Sequence, residues 1–474
     1  MVKCENLHIM IDNRVRSSLT PMLLFDFDKP SFSVTIKRIN IPRNIGFWSV
    51  LAIVMSSQIG SGVFMLPAIL APYGYYSLAG WLISSSGAVF LAIMFALLCS
   101  RFPKTGGPHA YVQSAFGSHI AFFIGWAYWV VSWVSTVAVI VTCVGYLSPF
   151  IGDRSPMIYL VIEISLLCII TMLNIKGVYA AGKVGFFLNL IRFIPLFVLP
   201  LIALHYFKSS NFAVSNEISS LSTTQILGQV AILAIWGFIG LETGTTPAGS
   251  VENPSKTIPR AVIFGTICVA LLYALNSIGI MGLIPANELV NSKAPYADAT
   301  QYIFGGNWHL LISIIASMVL IGTINAWTLA SGQIILGLAE DNLMPKFFAK
   351  KNSRHAPFWG ILVSSAGIVI LLILTSDKSL AKQISAIIDY SVAVFLFVYL
   401  VCGFAAIKIS MNKNSNTKIF QWLAIYIAIA FCSWVIYETP LKHLAVSSLF
   451  VLSGLPVYFF WYLKKEPNFE TLIK

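Results

Sequence analysis

A run of about twenty apolar residues is long enough to cross the hydrocarbon core of a bilayer as a helix, and this chain reads as twelve such runs in succession. They fall near 46–74, 77–99, 119–149, 157–174, 184–207, 225–250, 261–284, 308–338, 358–375, 384–407, 419–437 and 443–463. The runs are continuous and do not alternate, which excludes a β-barrel. Charged residues make up only 10% of the 474 and hydrophobic ones 57%, where soluble domains carry about 25% charge. No soluble globule of this size could cover itself with so few charges. The net charge of +12 does not mark a nucleic-acid binder, because the basic residues lie singly between apolar runs and form no patch. The expectation is an all-α membrane protein of about twelve helices over 46–463, with cytoplasmic segments at 1–45 and 464–474.

Lys and Arg set the orientation. With the N-terminus in the cytoplasm, 23 of them fall in inner segments, 6 in outer loops (Arg154, Lys208, Lys293, Lys378, Lys382 and Lys442), and Arg192 alone inside a span. The bias holds loop by loop, so both termini are expected inside. The first 45 residues lack the compact apolar core and small-residue cleavage site of a secretory signal. Six of the seven cysteines lie in or at the ends of spans, which indicates neither a disulfide framework nor a CxxC metal site. His109, His119 and His205 share no ligand spacing. No cofactor is expected.

Two spans carry glycine clusters at similar depth, five spans apart. The first contains Gln58-Ile-Gly-Ser-Gly-Val-Phe64 and the sixth contains Trp236-Gly-Phe-Ile-Gly-Leu-Glu-Thr-Gly244. A single such cluster can simply be a tight packing face. Matching interruptions in two halves point instead to a transporter built from inverted repeats, with its site at the breaks. Unwinding at Gly60 would aim the amides of a new half-helix, near Ser61 and Gly62, at the midplane, a seat for a carboxylate. The carbonyls freed at both breaks would suit an ammonium group. Together they describe an α-amino acid.

Ile59-Gly-Ser-Gly-Val-Phe64 resembles the first-helix motif of the amino acid–polyamine–organocation superfamily. Three loop segments agree with it, in the right order relative to the spans: Phe102-Pro-Lys-Thr-Gly-Gly-Pro-His-Ala-Tyr111, Glu252-Asn-Pro-Ser-Lys-Thr-Ile-Pro-Arg260 and Leu338-Ala-Glu-Asp-Asn-Leu-Met-Pro-Lys346. The resemblance covers residues 46 to about 460 and is nearest to the bacterial arginine/agmatine and putrescine/ornithine antiporters. It implies a five-plus-five inverted-repeat core in spans 1–10, with two added helices. It also implies roles. Ser61 and Gly62 fall at the carboxylate site, Trp236 at the tryptophan that stacks on the substrate, and Ile239 at a residue that binds through its backbone. Trp327 falls at a mid-pore gate, Ser391 in the side-chain pocket, and Tyr128, Glu242 and Tyr399 at the inner gate and acid sensor. Arg192 stands where many members carry a lysine in place of a bound sodium ion.

Each residue also has a plainer reading. Glu242 near mid-bilayer costs about 2.5–3.5 kcal/mol on insertion scales, so it either serves the mechanism or accepts hydrogen bonds that close the broken helix. Tyr128, Ser132 and Thr136 form a polar stripe at i, i+4 and i+8 on span 3, fit for pocket or for interhelical glue. Thr136 replaces the asparagine and Ser132 the cysteine of the arginine/agmatine pattern, with Val131 and Val139 completing the wall. One hydroxyl in place of an amide fork suits a primary amine better than a guanidinium. Trp236 and Trp327 are either packing or faces for a cationic side chain. Arg192 either snorkels or replaces sodium. Asp389 points away from Ser391 on a regular helix and is expected toward an outer vestibule. Glu163 is expected to be a packing residue with a polar partner.

The resulting expectation is a multi-pass transporter of a bacterial inner membrane, not an enzyme. It would exchange a basic amino acid for its amine or polyamine product by alternating access. A proton-coupled uptake permease and a non-transporting amino-acid sensor are the rival readings. Its partners would be small-molecule substrates and the lipid bilayer, with no nucleic acid, and a homodimer is left open.

Overall fold

The computed structural model describes residues 46–462 except 104–106, 153, 177–192, 247, 249–250, 355, 377–378 and 412–416. Residues 1–45 and 463–474 lie outside the described residues, and so does Arg192. Among the described residues there are helices, turns and loops and no paired strands. Backbone groups in lipid must be satisfied within their own segment, which a helix does and an open sheet does not.

Eleven helices are long and apolar enough to cross a membrane. They are numbered here as spans 1 (Phe47–Tyr73), 2 (Tyr76–Arg101), 3 (Ser118–Ile151), 4 (Pro156–Ile175), 6 (Thr223–Thr245), 7 (Pro254–Leu283), 8 (Trp308–Glu340), 9 (Phe358–Thr375), 10 (Leu380–Ser410), 11 (Ile419–Glu438) and 12 (Leu441–Phe460). The fifth run of the sequence shows a shorter apolar helix, Pro195–Tyr206, and the first part of that run lies outside the described residues. Span 7 begins at Pro254 and not near 261, because the Pro-Ser-Lys-Thr-Ile-Pro-Arg segment is itself helical.

Span 3 lies along span 8 and span 2 along span 7, while span 1 packs on span 7 and on the far side of the span 6 break. Span 3 is the most enclosed, 89% buried over its apolar window, whereas span 12 is 11% buried. The last two helices therefore flank a core made by the earlier ones.

Two loop motifs owe their asparagines to backbone geometry. Asn253 adopts φ 45° just before Pro254 opens span 7, and Asn342 adopts φ 60° just after span 8. Asparagine tolerates this left-handed region better than other non-glycine residues. At span 8 the Leu343 amide then donates to the Leu338 carbonyl at 2.8 Å, which closes the helix end in a Schellman arrangement.

Candidate functional site

Span 1 is two helices. The first, Phe47–Gln58, ends where Ile59 turns extended (φ −80°, ψ 93°). The second, Ser61–Leu70, starts after Gly60 (φ −129°, ψ −139°), and no side chain caps its first turn. Its leading amides therefore face the interior with the positive end of the helix dipole behind them. A Cβ on Gly62 would press on its neighbours, 3.2 Å from Trp236 Cδ1 and 3.0 Å from the Tyr273 hydroxyl oxygen. At the other end of the gap, Tyr273 of span 7 donates its hydroxyl to the Gln58 carbonyl at 3.1 Å.

Span 6 breaks differently. Its α-helix, Thr223–Ile235, tightens into a 3₁₀ turn over Trp236–Phe238, runs extended at Ile239 and turns left-handed at Gly240 (φ 102°). Only 3₁₀ turns follow, over Leu241–Thr245. Gly240 is required twice, by its positive φ and because a Cβ would meet the Ser57 carbonyl oxygen at 3.0 Å. The Ser57 hydroxyl donates to the Gly240 carbonyl at 2.8 Å, and Thr243 donates to the Ser57 hydroxyl at 2.6 Å. The two breaks are stitched together side by side.

Between them lies a cavity of about 20 Å³, space for about one water. Ser57, Gln58, Gly60, Ser61 and Gly62 line it from span 1, and Trp236 and Ile239 from span 6. Ser135 and Val139 of span 3 and Thr323 and Trp327 of span 8 complete the wall. The Trp236 indole N–H donates to the Ser61 hydroxyl at 3.3 Å, closing the tryptophan over the helix start. The site is contracted onto its own side chains.

Below the break, the Glu242 carboxylate is fully buried and accepts two hydroxyls, from Tyr128 of span 3 at 2.8 Å and from Tyr399 of span 10 at 2.5 Å. The trio named from the sequence thus joins three spans through one group. A buried carboxylate is tolerable only with such donors.

Five of the residues singled out as substrate contacts, Ser61, Gly62, Trp236, Ile239 and Trp327, share the cavity. Ser132, Thr136 and Ser391 are fully buried but lie outside its lining. Ser132 donates to the Trp129 carbonyl at 2.6 Å and Thr136 to the Ser132 carbonyl at 3.0 Å, so their protons are spent on their own helix. The Ser391 hydroxyl finds no partner among the described residues. Span 3 presents Ser135 instead, 60° around the helix from Ser132, a neighbour the i, i+4 stripe passed over. Ser57, Gln58 and Thr323 were also missed, and only Ser57 and Gln58, beside the glycine cluster, carried a signal.

Asp389 is paired with His443 of span 12 at 3.3 Å. Glu163 is buried with no ion pair or hydrogen bond among the described residues, so the polar partner expected for it is not seen there. A hydrogen bond between the His109 ring and the Asp341 carboxylate at 3.1 Å ties the loop motif after span 2 to the one after span 8.

Paired helix breaks around a small buried cavity walled by two tryptophans, in a chain with eleven helices apolar and long enough to cross a membrane, are the arrangement of a membrane transporter for a small solute. The chain belongs to the amino acid permease family, whose pattern matches residues 45–463. It is 28% identical to the putrescine transporter PotE of Haemophilus influenzae over 426 residues, which cover 88% of this chain and 97% of that one. It is 28% identical to the cadaverine/lysine antiporter of Escherichia coli over 337 residues, 70% of this chain and 75% of that one. Against a putative arginine/ornithine antiporter of Bacillus subtilis the identity is 26% over 430 residues, 82% and 91% of the two chains.

Proposed function

We propose that the protein exchanges a basic amino acid for its amine or polyamine product across a bacterial inner membrane, by alternating access, with both termini in the cytoplasm. The observation that carries this reading is the uncapped start of the Ser61–Leu70 helix facing Trp236 across one cavity. It offers amide donors for a carboxylate and an aromatic face for a cation within the reach of a single amino acid. The names of the three relatives, all carriers of basic amino acids or diamines, point the same way.

In this reading the amino acid displaces the Trp236 indole from Ser61, seats its carboxylate at Ser61 and Gly62, and meets the Ile239 backbone with its ammonium group. Its side chain lies against Trp236 under Trp327. Ser132, Thr136 and Ser391 line the far end once the cavity widens. The two span 3 hydroxyls have given their protons to the helix, which leaves lone pairs to accept from a cation. A diamine lacks the carboxylate and relies on the aromatic and hydroxyl walls. Tyr128, Glu242 and Tyr399 close the inner path, and exchange is obligatory if the contracted empty site reorients slowly.

Proteoliposomes test this. Uptake of labelled ornithine or arginine should be stimulated many-fold by internal putrescine or agmatine, and uptake indifferent to the internal amine would overturn the exchange reading. Uptake into empty vesicles driven by a pH gradient would identify a proton-coupled permease, and binding without any counterflow a sensor.

A further inference from the structure

Phe395, one turn before Tyr399 on span 10, is fully buried. Its ring centroid lies 6.1 Å from that of Tyr128 and 6.4 Å from that of Trp327, both edge-to-face, and 6.2 Å from that of Tyr399 in a tilted pair. The first and last of these rings carry the two hydroxyls bonded to Glu242. Trp327 belongs to the cavity wall. One side chain thus bridges the cavity wall on span 8 and both donors of the inner closure. Tyr399 is held from its other side by Phe95 of span 2, 5.2 Å away edge-on, so Phe395 sits within a contiguous set of rings.

We propose that Phe395 is a positioning residue that couples the placement of Trp327 to the Tyr128–Glu242–Tyr399 closure. Protein interiors are close-packed and respond to displacement by switching between discrete arrangements. When a substrate widens the cavity, Trp327 must shift, and the Phe395 ring can follow only by moving against Tyr128 and Tyr399. That movement loosens their hold on Glu242. With an empty, contracted cavity Trp327 keeps Phe395 in place and the closure stays shut. The proposal rests on the exchange reading above and adds to it the element that makes the inner closure sensitive to occupancy.

The test compares the parent with Phe395→Leu, Phe395→Ala and Phe395→Tyr in proteoliposomes preloaded with labelled ornithine. Efflux into medium with unlabelled ornithine reports exchange, and efflux into plain medium reports slippage of the empty carrier. The leucine and alanine variants should raise the ratio of slippage to exchange about three- to tenfold, the fold-change expected from losing one or two ring pairs. Ornithine affinity should change less than about threefold, and Phe395→Tyr should restore the parent ratio. A purely structural role would lower exchange and slippage together, and an unchanged ratio in both variants would sink the coupling.

A second readout does not depend on exchange. Cys402 is buried on span 10 beside the Pro108 carbonyl. With the other cysteines replaced by serine, its maleimide labelling should depend on ornithine in the parent and lose that dependence in Phe395→Leu. If the parent does not exchange, the exchange reading fails, while equal ornithine dependence in parent and variant would refute the coupling alone.

Discussion

The breaks in spans 1 and 6 face each other, yet they are built in opposite ways. Span 1 leaves the helix for two residues and resumes it at once, so the gap ends in a full α-helix with an uncapped first turn. Span 6 resumes only as 3₁₀ turns, and the Gly240 carbonyl already accepts from the Ser57 hydroxyl and from the Thr243 amide. The first break therefore presents donors, and the second is internally satisfied. A helix start left without a side-chain cap calls for an external anion or water, whereas a satisfied turn is a fixed structural element. In the proposed reading, the contrast gives the carboxylate seat to span 1, and to span 6 the Trp236 face, the Ile239 backbone and, through Glu242, the contact with Tyr128 and Tyr399.

The largest effect should come from the span 6 side. Glu242→Leu leaves two buried tyrosine hydroxyls without an acceptor, at a cost of about 1–3 kcal/mol each. The contact that joins spans 3, 6 and 10 should weaken about a hundredfold, seen as slower exchange and faster labelling of Cys402. Normal exchange in this variant would break the comparison. On the span 1 side, Gly62→Ala should lower affinity for ornithine about tenfold or more, because its Cβ would lie 3.0–3.3 Å from Tyr273, Trp236 and Leu66 at the helix start. Putrescine, which has no carboxylate to seat there, should lose much less. Equal losses for the two substrates in a competition assay would remove the carboxylate role from span 1.

Trp236→Ala should weaken both ornithine and putrescine by about three- to thirtyfold, the range of a desolvated cation–π contact, with Phe retaining most of the affinity. Unchanged competition curves would discard the stacking role. The smallest effect is expected at the stitch between the breaks. Ser57→Ala removes the donor to Gly240 and should cost about 1 kcal/mol, a drop of a few degrees in detergent melting, with substrate affinity nearly unchanged. A large affinity loss there would mean that the span 6 break is less self-sufficient than its hydrogen bonds suggest.

The spans were legible because the lipid requirement is written directly in composition: only about twenty apolar residues in a row satisfy it. Both breaks were legible because two glycine clusters lie at similar depth five spans apart, where one alone would read as a packing face. The loop motifs were visible too, but the reason for their asparagines was not until Asn253 and Asn342 showed positive φ.

Other features had no sequence signal. Nothing distinguishes Phe395 among the 33 phenylalanines, and the Tyr128, Ser132 and Thr136 stripe pointed to the helix face beside Ser135 and not to Ser135 itself. The His109–Asp341 and Asp389–His443 pairs join residues far apart in the chain. By itself the sequence determined the solvent of this protein, its helical class and the places where its helices must break, because those follow from local chemistry along one segment. Only the tertiary structure decided which side chains share the cavity, what closes on Glu242 and which ring links the two. Those contacts depend on how each helix is rotated against its neighbours, and in a chain apolar on every face that rotation is set by packing alone.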